Sequence, residues 1–144
     1  MAGLDKTSSD YNDLISIACC FAKNGKDVNI LSPIHYKDPK YHELFGALIG
    51  TEYYRKCPDL LVDGVFYEYE SYEHPFEMEK IERMITRGAK QSRDIVIDIS
   101  ESSATKRVVN DKIQRLKMQK SFQSTLDSVW VYDGETVEIV YKNK

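Results

Sequence analysis

The 144-residue chain has little cysteine, little histidine, no long apolar run and no surplus of positive charge, and each scarcity narrows what it can be. Its three cysteines, Cys19, Cys20 and Cys57, are odd in number and lack paired metal-ligand spacing. They read as reduced core thiols, with the adjacent Cys19 and Cys20 on an apolar helix face. His35 and His42 are spaced by seven, which argues against a histidine metal centre. No stretch approaches the length needed to cross a bilayer, and the polar region after Met1 lacks the charged-then-apolar layout of a signal peptide. The expectation is a chain that is cytoplasmic as encoded and has no membrane partner. There is no internal repeat, low-complexity tract or linker, so residues 1–144 read as a single domain.

The net charge of −3 gives no global pull toward nucleic acid, but its distribution is uneven. Residues 80–120 carry 11 basic and 5 acidic side chains, a surplus of +6, while the remainder carries 9 basic and 18 acidic, or −9. An acidic front beside a basic back suits a metal site next to a phosphate-binding surface; a basic helix is also commonly just a solvated face.

The most informative stretch is Pro58 to Glu70, which reads as a β-hairpin around Asp63-Gly64, residues suited to the two positive-φ positions of a type I′ turn. A two-residue turn there places Val62 opposite Val65, Leu61 opposite Phe66, Leu60 opposite Tyr67, and Asp59 opposite Glu68. Two carboxylates roughly 4.5–5.5 Å apart at Cβ repel unless a proton or cation lies between them. The pair is therefore a candidate site for a divalent ion of the Mg²⁺ kind, which takes one or two carboxylates and leaves its other positions to water and phosphate. The plainer alternative makes Asp59 a strand cap and Glu68 a solvated edge residue.

Around the hairpin, Ser8, Ser9 and Asp10 start a helix with Leu14, Ile17, Ala18 and Phe21 inward, stopped at Asn24-Gly25. Asp13 borders that stripe, placed to reach a site formed with the sheet or to be solvated near the helix start. Val28 to Leu31 make a short strand. Asp38-Pro39 starts a helix with Tyr41, Leu44, Phe45, Leu48 and Ile49 as its apolar face, stopped at Gly50. Pro75 opens a helix with Met78, Ile81, Met84 and Ile85 inward, ending near Gly88. The run Asp94 to Ile99 reads as a central strand, Ser103 to Lys120 as a basic helix burying Val109, Ile113 and Leu116, and Ser128 to Tyr141 as two strands around Asp133-Gly134. The order implies an α/β (α+β) fold, a mixed central sheet with helices on its faces.

Taken in order, four features resemble the C-terminal toxin nucleases of bacterial contact-dependent growth-inhibition systems, tRNA-cleaving domains similar to the PD-(D/E)xK nuclease group. They are Asn12-Asp13 on the first helix, the hairpin from Pro58-Asp59 to Glu68, Lys90-Gln91 ahead of Ile95-Val96, and the closing Asp133-Gly134 hairpin. The resemblance implies a PD-(D/E)xK-like core and metal-assisted phosphodiester hydrolysis, with RNA favoured over DNA as substrate. A cognate immunity protein would be a further partner. Asp59 and Glu68 would hold the metal, Mg²⁺ or Mn²⁺ ahead of Zn²⁺, with Asp13 contributing directly or through water. Lys90 would orient water or stabilise developing charge, and Gln91 would position substrate. Arg83, Arg87, Arg93, Lys106, Arg107 and Lys112 would meet phosphates. The chain departs from the group at Glu70, where the orthodox pattern has lysine, and at Asp13 in place of glutamate. Those departures keep open a catalytically inactive nuclease fold that serves as a binding module, and the acidic front keeps open an acidic partner-binding protein of a toxin system that mimics nucleic acid.

Overall fold

A computed structural model describes residues 9–72, 78–116, 118 and 126–143. The elements run α1 (Ser9–Lys23), β1 (Val28–Ile30), α2 (Pro39–Phe45) with a 3₁₀ turn at Gly46–Leu48, β2 (Leu60–Val62), β3 (Val65–Ser71), α3 (Met78–Ala89), β4 (Asp94–Asp98), α4 (Lys106–Leu116), β5 (Ser128–Tyr132) and β6 (Val137–Lys142). The strands form one six-stranded sheet in chain order. β1, β2 and β3 pair antiparallel, β3, β4 and β5 parallel through the α3 and α4 crossovers, and β5 with β6 antiparallel. The mixed sheet covered by helices matches the fold expected from the sequence, and β4 is central. No helix among the described residues is long and apolar enough to cross a membrane.

The hairpin register follows from its turn. Asp63 and Gly64 take φ values of 49° and 81°, and the rungs are Val62↔Val65, Leu61↔Phe66 and Leu60↔Tyr67. Successive residues of β3 therefore address opposite faces. Tyr67 and Tyr69 join Leu14, Ile17 and Phe21 of α1 and Val96 in one core. The other face carries Ile95, Ile97, Val129 and Val131 under Ile81, Ile85, Val109 and Ile113 of α3 and α4. A third cluster, Leu31, Tyr41, Phe45, Leu48 and Tyr53, rests on Leu61 and Phe66, so the α2 region lies on the same face as α3 and α4.

Local signals account for most boundaries. α1 ends in a Schellman motif, with Gly25 at φ 80° and hydrogen bonds from the Lys26 amide to the Phe21 carbonyl and from Gly25 to Ala22. Asp38 caps α2 by accepting from the Lys40 amide at 2.9 Å. Thr105 caps α4, its hydroxyl accepting from Val108.

Four expectations need correction. α2 stops at Phe45 and gives way to a 3₁₀ turn; Leu44, still in α2, and Ile49, after the turn, stay outside the buried cluster at 42% and 45% exposed. Cys19 is exposed and Cys20 half-buried, because α1 buries the Leu14, Ile17, Phe21 stripe and the two thiols fall beside it. α4 starts at Lys106, after its Thr105 cap, and is described to Leu116; Lys117, Gln119 and Lys120 of the expected span lie outside the described residues. The β5–β6 connection uses four residues, Asp133 accepting from the amides of Glu135 and Thr136. Ser8 and Pro75 lie outside the described residues.

Gly88 lets α3 approach the sheet above the hairpin. A Cβ there would lie 3.0 Å from Ile95 Cγ2 and 3.5 Å from Glu70 Cγ, and Ile95 is fully buried with nowhere to move. Gly88→Val should therefore destabilise the fold by about 1–3 kcal/mol through overpacking, read as a lower urea midpoint at unchanged m-value.

Candidate active site

The regular hairpin ladder stops one rung short of the expected Asp59–Glu68 pair, and Asp59 departs from it in an informative way. Its amide donates to the Tyr67 carbonyl at 3.0 Å and its carbonyl accepts from Leu31 of the β1 side at 2.9 Å. Its side chain then takes the place of a strand carbonyl, Oδ2 accepting from the Tyr69 amide at 2.9 Å. Backbone on both sides fixes this carboxylate. Glu68 meets it: the two carboxyl groups are hydrogen-bonded to one another.

Two carboxylates sharing a hydrogen bond need a proton between them. Burial, and then the Asp59 charge, push the Glu68 carboxyl up to about 10, with Glu70 adding to the rise and Arg87 opposing it. At neutral pH the pair thus holds a proton between its two carboxyl groups. Two residues on, Glu70 is buried, and Arg87 of α3 reaches it with Nη2 at 2.9 Å and Nε at 3.3 Å. This forked ion pair also brings a guanidinium close enough to Glu68 to interact with its charge.

Lys90 and Gln91 follow at the end of α3, on the same face of the sheet. Lys90 is exposed and Gln91 half-buried, and their turn is tied to β3 by the buried Ser92, whose hydroxyl donates to the Phe66 carbonyl at 2.7 Å. Glu79, Glu82, Arg83, Thr86, Arg87 and Lys90 line a shallow groove along α3.

Asp13 is not brought to this pair. It lies on α1, across the sheet, 3.3 Å from the Tyr69 hydroxyl, and that hydroxyl donates to the buried Asp98 at 2.8 Å. Asp98 also accepts from the amide and hydroxyl of Ser100. Burial, and the carboxylate it donates to, push the Tyr69 phenol up and keep it protonated. The reason for the separation is the pleat: Glu68 and Tyr69 are neighbours in β3 and must point to opposite faces. Among the described residues no group of three or more His, Cys, Asp or Glu side chains is arranged to hold a metal. Asp98 and Tyr69 form a centre that the sequence reading did not single out; the alternation of β3 and β4 was the signal that both would point toward α1.

The expected phosphate-binding residues divide in two. Arg87 pairs with Glu70, Arg93 with Asp127 through Nε and Nη2 at 3.1 and 3.2 Å, Lys112 with Glu82 at 3.2 Å, and Lys106 with Asp133, Glu138 and the Thr136 hydroxyl. Apart from Glu82, these acids come from outside residues 80–120, so folding brings the acidic part of the chain onto the basic part. Arg83 and Arg107 are exposed.

Comparison with known proteins agrees with this architecture. The model of the family described as contact-dependent growth inhibition CdiA C-terminal domain matches residues 56–136, a span that includes the hairpin, α3, β4, α4 and β5. A solved CdiA-CT/CdiI toxin and immunity complex from Burkholderia pseudomallei contains a chain with a similar fold, with a TM-score of 0.59 at 19% identity over 96% of this chain and 92% of that one. Among curated proteins none matches.

The carboxylate pair has a pH signature. A carboxyl raised in the folded state holds its proton there more tightly than in the unfolded chain, so between about 4.5 and about 10 stability falls as pH rises. Glu68→Gln keeps the hydrogen bond to Asp59 and removes the titration. In metal-free buffer it should melt at a higher temperature than wild type at pH 9, with a smaller difference at pH 5. Equal differences at both pH values in circular-dichroism melts would mean that Glu68 is not the protonated partner.

Proposed function

This chain belongs to the contact-dependent growth inhibition CdiA C-terminal domain family, and on that premise we propose that it is a toxin domain hydrolysing phosphodiester bonds in RNA, tRNA foremost, with a divalent cation held by Asp59 and Glu68. One observation carries the reading: two carboxylates, one fixed by strand backbone, face each other closely enough to share a proton. The donor set is all oxygen and holds neither histidine nor cysteine, which fits Mg²⁺ or Mn²⁺ better than Zn²⁺. A cation bound there supplies Lewis-acid polarisation of a phosphoryl oxygen and a water of lowered pKa.

The chain's own groups do the rest of the work. Asp59, locked by the Tyr69 amide, sets the direction of approach. Arg87, anchored by Glu70, keeps positive charge next to the pair for the phosphate, so Glu70 acts here as a holder of a cation and not as a repelling anion. Lys90 and Gln91, at the end of α3, meet the phosphate and the sugar of the bound strand, with Arg83 beside them along α3. Asp13 has no part in this set. By analogy with the toxin and immunity complex, the partner that restrains the activity is a cognate immunity protein.

Two measurements test the reading. Purified protein should cleave total tRNA in Mg²⁺ or Mn²⁺ and stop in EDTA, with plasmid DNA and Zn²⁺ as comparison arms. Asp59→Asn should lower the rate by about 100-fold or more, the scale of losing one group that stabilises transition-state charge. Independently of activity, Mg²⁺ should raise the melting temperature of wild type, a gain of about 2.7 kcal/mol at a hundredfold excess over Kd, and fail to do so in Glu68→Gln. A chain that neither cleaves nor shifts is the inactive binding fold.

A further inference from the structure

Residues 34–57, which precede the carboxylate pair, contain a surface construction that the proposed hydrolysis does not use. His35, Tyr36 and Arg55 form one stack: the imidazole and phenol rings lie 4.7 Å apart at 25°, and the Arg55 guanidinium sits 4.2 Å from the Tyr36 ring centre. Tyr54 supports Tyr36 edge-on at 6.0 Å, and Lys37 Nζ lies 6.0 Å from the same ring. His35, Lys37 and Arg55 are exposed.

The stack is held in place by specific bonds. His35 Nδ1 accepts from the Lys37 amide at 3.1 Å, which fixes the ring and leaves Nε2 outward. Cys57 Sγ bonds both the amide and the carbonyl of Ile34, stitching the two ends of the segment together. Arg55 has φ 77°, a left-handed conformation costly for a residue with a Cβ. It is imposed by Tyr41, fully buried, whose hydroxyl accepts from the Arg55 amide and donates to the Lys56 carbonyl, both at 2.9 Å. A turn alone would be served better by glycine or asparagine. Arginine at a strained position, aligned on an aromatic face and without an ion-pair partner among the described residues, points to a use for its side chain.

We propose that the His35–Tyr36–Arg55 stack is a platform for an unpaired nucleotide of single-stranded nucleic acid. Imidazole, phenol and guanidinium planes are the surfaces on which splayed bases stack, and Lys37 with Arg55 supplies charge for the adjoining phosphates. Duplexes, whose base faces are already stacked, do not use it. Asp59 follows Arg55 by only four positions, a span of at most about 14 Å, and the α2 region shares the sheet face of Glu68. The platform therefore lies close to the carboxylate pair, on the face of the sheet that also carries α3. This inference rests on the nuclease reading for its purpose, but its binding test does not depend on cleavage.

The test uses the full chain carrying Asp59→Asn, an eight-nucleotide RNA with a central 2-aminopurine, the DNA of the same sequence, and a blunt RNA duplex. The single strands should bind with quenching of the 2-aminopurine, and the duplex without it. His35→Ala and Arg55→Gly should each weaken single-strand binding at least about fivefold and reduce the quench, the lower range of a lost stacking contact. Arg55→Gly also relieves the backbone, so its melting temperature should hold or rise, and lost binding there is not unfolding. Single-strand affinity and quench unchanged in both variants overturn the platform, as does equal quenching by the duplex. If wild type cleaves tRNA in that case, the nuclease reading survives; if it cleaves nothing while the variants lose binding, the platform stands and that reading falls.

Discussion

A two-residue turn at Asp63 and Gly64 decides which face of the sheet every side chain of the hairpin meets. Both residues occupy the left-handed region, which matches the twist of the strands they join, and the register follows rung by rung. A slip of one residue would exchange Tyr67 and Tyr69 for Phe66, Glu68 and Glu70 against α1. The partners on each face oppose that exchange: α1 packs Leu14, Ile17 and Phe21 against the sheet, whereas α3 brings Arg87 to Glu70.

From that register follow two polar centres back to back. On the α3 face, Asp59, Glu68, Glu70 and Arg87 combine three carboxylates with one guanidinium, and a shared proton reduces the remaining negative charge to one. On the α1 face, Tyr69 donates to Asp98 and lies close to Asp13, while Ser100 completes the shell of Asp98. No buried side-chain nitrogen or oxygen among the described residues lacks a hydrogen-bond partner. The α1 centre is closed by its own bonds, whereas the α3 centre is held together by a shared proton, at the point where the proposed function puts a cation. This difference makes the Asp59–Glu68 pair the better place for chemistry.

The same economy shapes the surface. Several cationic side chains of α3, α4 and the α3–β4 turn are met by Glu70, Glu82, Asp127, Asp133 and Glu138, while Arg83, Lys90 and Arg107 stay exposed, as does Arg55 of the stack. Under the proposed function, a phosphate backbone approaching the pair would meet Arg83 and Lys90 of the α3 groove.

Local chemistry was legible in the sequence because it acts between near neighbours. Helix caps, the glycine stops and the Asp63-Gly64 turn placed the elements in their observed order, and the turn alone brought Asp59 toward Glu68. The ends of α2 and α4 were less legible, since 3₁₀ winding after Phe45 and capping at Thr105 depend on what the flanking residues pack against. Contacts across elements were decided only by the tertiary structure. Helical periodicity says that Asp13 borders a core, not which face of the sheet that core covers, and the tertiary structure puts it beside Tyr69, across the sheet from Glu68. Glu70 looked like a defect until the close approach of α3 at Gly88 brought Arg87 to it, and the stack of His35, Tyr36 and Arg55 joins residues some twenty positions apart through the hydroxyl of one buried tyrosine. Sequence settles what one or two turns of chain can bond; packing alone settles which distant charges and rings share a surface.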